Sequence, residues 1–373
     1  PDISNLKSQI KYASYKAPRI TRQPDDIGDD ELLNLLIDSK KGVLSKSLQG
    51  FRITNIESEV GFISEYRFIV DIFGNKAERS CTFFNCSYEI VIKCNNDFYE
   101  GYENKTLVGG AELLSTYPPH TLADKAFEEI VEKIKAKRVK TGMHDIIVDP
   151  EFSGVIAHES FGHLSEADSI ITGSSFLTGK KGKKLGSEIV SIIDTGDYVN
   201  GGIWLPFDDE GVLSNSVILV EKGIFLNYLH SLMTAHHFGE KATGNARTQS
   251  PLDPPLVRMR NTFFLGYEYE EEELLELIRN GILIKGSAGG ESSDDGTFIF
   301  EAKRAYQIKN GEIIKPLKGV TIRSSIDDFL SNIIAASKDV HLFIGLCEKN
   351  DQTIFVGFGG PYMAVKHVYV SGD

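Results

Sequence analysis

The 373-residue chain has no apolar run near the roughly 18 residues that a bilayer-spanning helix needs. A helical membrane span is therefore excluded. The first residues, Pro1 to Tyr12, are polar and lack an apolar secretory stretch, so a signal peptide is not expected. Positive charge is also short: 40 Lys and Arg against 53 Asp and Glu leave a formal net charge of −13. Nucleic acid and anionic membranes reward clustered cations, so neither is an expected partner. The one basic run, Lys180 to Lys184, reads as a solvated loop. Cysteine is scarce, and Cys81, Cys86, Cys94 and Cys347 show no paired metal-ligand spacing. Free thiols in a cytoplasmic protein are the simplest expectation.

What is present suits a globular protein: 41% hydrophobic and 25% charged residues, on a chain long enough for two domains. Asp29 to Asp38 reads as a short amphipathic helix. Strand-rich segments follow at Phe51–Ile56, Phe62–Ile72, Ser80–Lys93 and Phe98–Tyr102, broken by Gly74-Asn75 and Asn95-Asn96-Asp97. Gly101, Gly109 and Gly110 mark the exit of this sheet. A helix from Leu122 to Lys137, with Thr121 as N-cap, is expected to cover it through Ala126, Ile130, Val131 and Ile134. A domain boundary is placed at Thr141-Gly142, giving domains 1–141 and 142–373. The second half is Gly-rich, with short strands and helices between many turns. The fold class is read as α+β, dominated by antiparallel sheet.

One stretch concentrates chemistry: His158-Glu159-Ser160-Phe161-Gly162-His163. Neutral imidazole is a strong zinc ligand, and a neighbouring glutamate can take a proton from metal-bound water. Histidines five apart sit about 140° around a regular helix, too far for one ion. A π-turn, with i→i+5 bonds, brings them into line, and Gly162 offers no side chain to oppose it. Asp149 or Ser153 could cap this helix. The alternative is two ordinary histidines on a core helix.

A zinc site needs a third protein ligand. Glu166 and Asp168 lie within two turns of His163 and could be ligands or partners of the imidazoles. Cys347 ends the apolar run His341–Leu346 and offers a thiolate, or is simply a small buried hydrophobe. His230, His236 and His237 make an improbable shared site. Asp208-Asp209-Glu210-Gly211 reads as a solvated acidic turn. Arg247, Arg258 and Arg260 lie among turn residues and could hold a carboxylate, though a structural role is the simpler account. Ile170 to Ser187, rich in Gly, Ser and Lys, reads as a long mobile loop able to cover the motif.

Taken in order, several segments resemble the TldD/PmbA family of peptidases, in its metal-binding TldD-type branch. They are His158 to Asp168, Asp208 to Gly211, Thr243-Gly244-Asn245-Ala246-Arg247, Met259-Arg260-Asn261-Thr262, Gly345-Leu346-Cys347 and Val356-Gly357-Phe358-Gly359. The resemblance implies a metallopeptidase with His158, His163 and Cys347 as ligands of one divalent ion, most simply zinc, and Glu159 as general base. It also implies peptides or unfolded polypeptides as substrates, and a dimer with itself or with a paralogous subunit. The chain departs from the family in a shorter N-terminal part and in Glu348, where a small residue is expected. The same His-Glu-x-x-Gly-His pattern occurs in dipeptidyl peptidase III, but that family's downstream glutamate motif has no counterpart here. The rival readings are a non-catalytic peptide-binding or assembly subunit with a structural metal, and a metal-free scaffold for an active paralogue.

Overall fold

A computed structural model describes residues 13–17, 20–46, 50–71 and 74–372. Pro1–Tyr12 and Ile72 lie outside the described residues. The fold is α+β with antiparallel sheet predominating, as the alternation in the sequence implies. Among the described residues no helix is long and apolar enough to cross a membrane. The chain divides into a smaller unit, Lys16–Arg67 with Arg79–Ala136, and a larger one, Lys137–Asp373 with Phe68–Glu78 and the residues up to Tyr15.

β1 (Ala13–Lys16) falls almost wholly in the larger unit; the smaller is built on α1 (Asp29–Ser45), most of β2 (Phe51–Val70) and of β3 (Lys76–Cys94), β4 (Asp97–Val108) and α2 (Pro119–Lys135). Phe84, Cys86, Tyr88, Ile90 and Ile92 alternate along β3 and are all fully buried, packed with Leu122, Ala126 and Ile130. Gly101 is not a loop residue but lies within β4, where a Cβ would stand 2.0 Å from the Ala126 carbonyl oxygen. Thr121 is not the N-cap of α2. Pro119, with its preset φ, starts the helix two residues earlier, and Thr121 Oγ1 donates to the Pro118 carbonyl at 2.6 Å. Helix α1 runs past Asp38 because Ser39 and Val43 continue its buried face at a spacing of four.

In chain order the larger unit carries β5 (Gly142–Val148), α3 (Pro150–Val155), β6 (Ile192–Thr195), β7 (Val217–Glu221) and β8 (Asn261–Phe264). It continues with β9 (Asn280–Ser292), β10 (Thr297–Lys309), β11 (Val320–Ser325), β12 (His341–Lys349), β13 (Gln352–Gly360) and β14 (Met363–Gly372). Strands β9, β5, β14, β11 and β10 pair in that order, and β10 pairs back onto β9, closing a barrel. A second sheet runs β12-β13-β8-β6-β7, with β8 and β13 parallel and the other pairs antiparallel. Helix α3 lies against β9 of the barrel and against β12, β13 and β8 of the second sheet. A Cβ on Gly154 would fall 2.4 Å from the Gly359 nitrogen, so two glycines let the helix and β13 meet backbone to backbone. Asp149 caps α3, its Oδ1 accepting from Phe152 N at 2.8 Å and from Gly286 N at 3.0 Å.

Residues 170–187 are not a free loop. Leu177 and Leu185 are core residues, and Phe176 packs against the same core. The Phe176, Gly182 and Leu185 amides each donate at 2.7 Å, to the carbonyls of Asp294, Phe225 and Gly223. Three apolar anchors among the glycines and lysines are enough to fix the segment.

Candidate metal centre

Directly after α3 the chain widens. Ile156–Gly162 is π-helical, and the His163 N–H donates to the His158 carbonyl, the i→i+5 bond that aligns the two histidines. Their rings meet edge to face, with centroids 5.1 Å apart and planes at 79°. The turn is held from within by Ile156, Ala157 and Phe161, all fully buried. Ser165 Oγ donates to the Phe161 carbonyl at 2.9 Å. Gly162 has an ordinary helical φ of −58°, so the wide turn does not demand glycine. Met259 does: its Sδ would lie 1.9 Å from a Cβ at this position.

Cys347 arrives from β12, opposite Ile354 on β13. Its strand is clamped by Arg258, fully buried, which donates to the Cys347 carbonyl at 2.5 Å and to that of Gln352 at 3.2 Å. Cys347 Sγ lies 3.5 Å from His163 Nε2. One donor atom from each of His158, His163 and Cys347 falls within 4.8 Å of the others. His158 is 3% exposed, yet neither ring nitrogen has a hydrogen-bond partner among the described residues. Such buried orphan nitrogens are costly unless something else engages them. Burial pushes the Cys347 thiol up, but the imidazoles of His158 and His163 outweigh it and bring it down to about 5. Two imidazoles and a ready thiolate are a donor set that fits a zinc-type ion.

Glu159 projects away from the buried wall, 41% exposed, with Oε2 3.7 Å from His163 Nε2. It borders a cleft of about 400 Å³ shared with Glu291, Ser292, Asp294, Glu348 and Lys349. Ser292 Oγ donates to the Glu159 carbonyl at 2.7 Å and ties the barrel to the π-turn. Glu166 stands behind the histidine rather than among the donor atoms, its Oε2 3.3 Å from His163 Nδ1. Burial alone would raise the Glu166 carboxyl. For His163 it would instead disfavour the charged ring, but the Glu166 carboxylate overrides this and raises the imidazole well above its usual value. Glu166 is correspondingly held below the usual carboxylate range by His163 and Lys349, against its burial. Asp168 also reaches Lys349, at 2.7 Å.

The remaining candidates lie elsewhere. His230 is buried beside Thr234 and Glu240, and His236 and His237 are exposed; none joins the cluster. Asp208 is not a solvated acid. It is fully buried, because its carboxylate accepts from the amides of Glu210, Val212 and Ala246 at 2.9–3.0 Å and so organises its own turn. Arg260 pairs with Asp194 at 2.7 Å with both side chains fully buried, and Arg247 donates to the Met259 and Phe355 carbonyls. These arginines brace the second sheet. Lys349 is the residue the motifs did not single out, although its place two residues after Cys347 puts it on the same strand face.

A profile described as the PmbA/TldA metallopeptidase C-terminal domain matches residues 141–372. The chain belongs to the PmbA/TldD metallopeptidase family. A metalloprotease of Methanothermobacter thermautotrophicus is 33% identical over 360 residues, covering 95% of this chain and 77% of its own length. A zinc metalloprotease TldD homolog of Saccharolobus solfataricus is 36% identical over 247 residues, 66% of this chain and 55% of its own. Among solved structures, TldE from Thermococcus kodakarensis superposes with a TM-score of 0.75 at 17% identity, covering 98% of this chain and 80% of its own. That last likeness bears on the fold alone.

Proposed function

We propose that the chain is a metal-dependent peptidase of peptides and unfolded polypeptides, with His158, His163 and Cys347 holding one divalent ion, zinc by preference. The observation that carries this reading is the buried, unpartnered imidazole of His158 within 4.8 Å of the other two donors. When bound, the ion would supply a Lewis acid for the scissile carbonyl and lower the pKa of water. Glu159, on the cleft side of His163, takes the proton of the attacking water and returns it to the leaving amine. Its partial exposure leaves the carboxylate free to do both. Glu166, from behind, keeps the Nδ1 side of His163 occupied, so Nε2 is the nitrogen offered to the ion. A cleft of about 400 Å³ admits an extended segment, not a folded domain. The relatives' names support a protease, and a dimer, with itself or with a paralogous subunit, belongs to the same proposal. Four free cysteines support a cytoplasmic setting.

The test is a metal assay of protein purified without chelator, paired with cleavage of one protein supplied folded and denatured. We expect about one zinc per chain, cleavage of the denatured form only, and loss of cleavage on chelation that added zinc restores. Cleavage that survives complete metal removal would sink the proposal.

A further inference from the structure

Lys349 is 15% exposed in its side chain and sits two residues beyond Cys347 on β12. Its Nζ donates to Glu166 Oε2 at 2.8 Å, to Asp168 Oδ2 at 2.7 Å and to the Val257 carbonyl at 3.0 Å. Glu166 Oε2 is also the atom that meets His163 Nδ1. One carboxylate oxygen therefore joins the ammonium to the imidazole. We infer that Lys349 is a positioning residue of the metal centre: by clamping Glu166 it fixes the rotation and tautomer of His163, so that Nε2 faces Cys347 Sγ. This rests on the metal-binding reading of the three donors.

The argument is one of determinacy. An ammonium has three donors and no acceptor, and here all three are used, in three directions, so the lysine has one geometry. Glu166 is 1% exposed and its Oε1 has no hydrogen-bond partner among the described residues. Without Lys349, the orientation of that carboxylate would depend on the imidazole it is meant to orient. Carboxylates behind metal-bound histidines set ring orientation, and disturbing them costs about 10–100-fold in metal affinity. The pleat of β12 puts residues 347 and 349 on one face, so a single strand delivers both a ligand and the clamp for another ligand. The Val257 carbonyl adds a further tie, since Met259, two residues on, fills the space that glycine leaves at position 162. An ordinary surface ion pair would be solvated and would touch one acid. This ammonium is largely buried and serves two acids and a carbonyl.

The test is a double-mutant cycle on metal binding, in the full chain, with Zn²⁺ affinity read by chelator competition and Co²⁺ absorption as a report on ligand geometry. Lys349→Met is expected to weaken Zn²⁺ by about 10–100-fold and to alter the Co²⁺ spectrum. Glu166→Gln, which can still accept from His163 but no longer needs an ammonium, is expected to lose affinity by itself. The double variant should bind no more weakly than the weaker single one, because Lys349 acts through Glu166. Wild-type affinity and spectrum in Lys349→Met, or losses that simply add, would overturn the inference. If Lys349→Met does not fold, the double variant, which leaves no buried charge unpaired at this pair, is compared with Glu166→Gln alone. A further loss there overturns it equally. A wild-type chain that binds neither ion would overturn the metal centre and this inference together, whereas metal binding indifferent to Lys349 overturns only the second.

Discussion

The Glu159 carboxylate and the Cys347 thiol both approach Nε2 of His163, one half-exposed and one buried. That contrast separates their expected losses. Glu159→Ala should keep its metal and lose about 10²–10⁴ in kcat, the usual contribution of a general base. Cys347→Ala should lose metal and activity together. Metal analysis and kcat measured on both variants would check the pair; a Cys347→Ala protein with full metal content would move the third ligand elsewhere. Gly162 gives a different kind of test. Alanine there keeps the helical φ but drives a methyl into Met259, so Gly162→Ala should destabilise by about 1–3 kcal/mol through overpacking. A Gly162→Ala/Met259→Ala double variant should recover part of this in a denaturant titration. Strain in the π-turn itself would give no such recovery.

At the scale of elements, the π-turn was legible because two histidines five apart cannot share an ion on a regular helix, and the helix widens over Ile156–Gly162. Strands β3 and β4 were legible from alternation and from the Asn95-Asn96-Asp97 turn. Strand β9 was not, because the glycines recurring through the second half, Gly286, Gly289 and Gly290 among them, suit tight turns as readily as a strand. In the barrel, Gly290 is required by closeness: a Cβ would lie 2.2 Å from the Ile299 carbonyl oxygen. The segment 170–187 and Asp208 depart from their local pattern for a shared reason. Polar composition signals solvent only when nothing buried answers it, and here three apolar anchors and three backbone amides do, the Ala246 amide from far along the chain. That His158, His163 and Cys347 come within 4.8 Å of one another is foreshadowed only by the ordered motifs, since no spacing links Cys347 to His163, and Lys349 is invisible in the sequence because a lone lysine carries no pattern. The seat of the motif helix is testable at Gly154. Gly154→Ala would push β13 backbone away from α3, a contact without a flexible side chain to yield. It should lower stability by about 1–3 kcal/mol and, unlike Gly162→Ala, should not be rescued by trimming a side chain. Unchanged thermal stability would show that the helix and strand can slide apart.

The whole molecule is acidic, with a net charge of −13, and the cleft concentrates that sign. Glu159, Glu291, Asp294 and Glu348 border it, and the one lysine among its described lining residues, Lys349, is already taken by Glu166 and Asp168. Among the described residues Glu291, Asp294 and Glu348 form no ion pair, so their field falls on whatever enters. Like-signed walls of a cleft raise the local concentration of opposite charge and speed its capture by about 10-fold or more. Peptides with Lys or Arg flanking the cleaved bond should therefore show about 10-fold higher kcat/KM than the same peptides with Glu at low salt. The preference should reside in KM and shrink with added salt, as screening shortens from about 30 Å at 0.01 M to about 10 Å at 0.1 M. Replacing Glu291, Asp294 and Glu348 together by Gln, Asn and Gln leaves the proposed ligands and base untouched and should erase the preference while sparing kcat on neutral peptides. A preference that persists in this variant, or that ignores salt, would mean that discrimination comes from shape rather than from the field of the cleft.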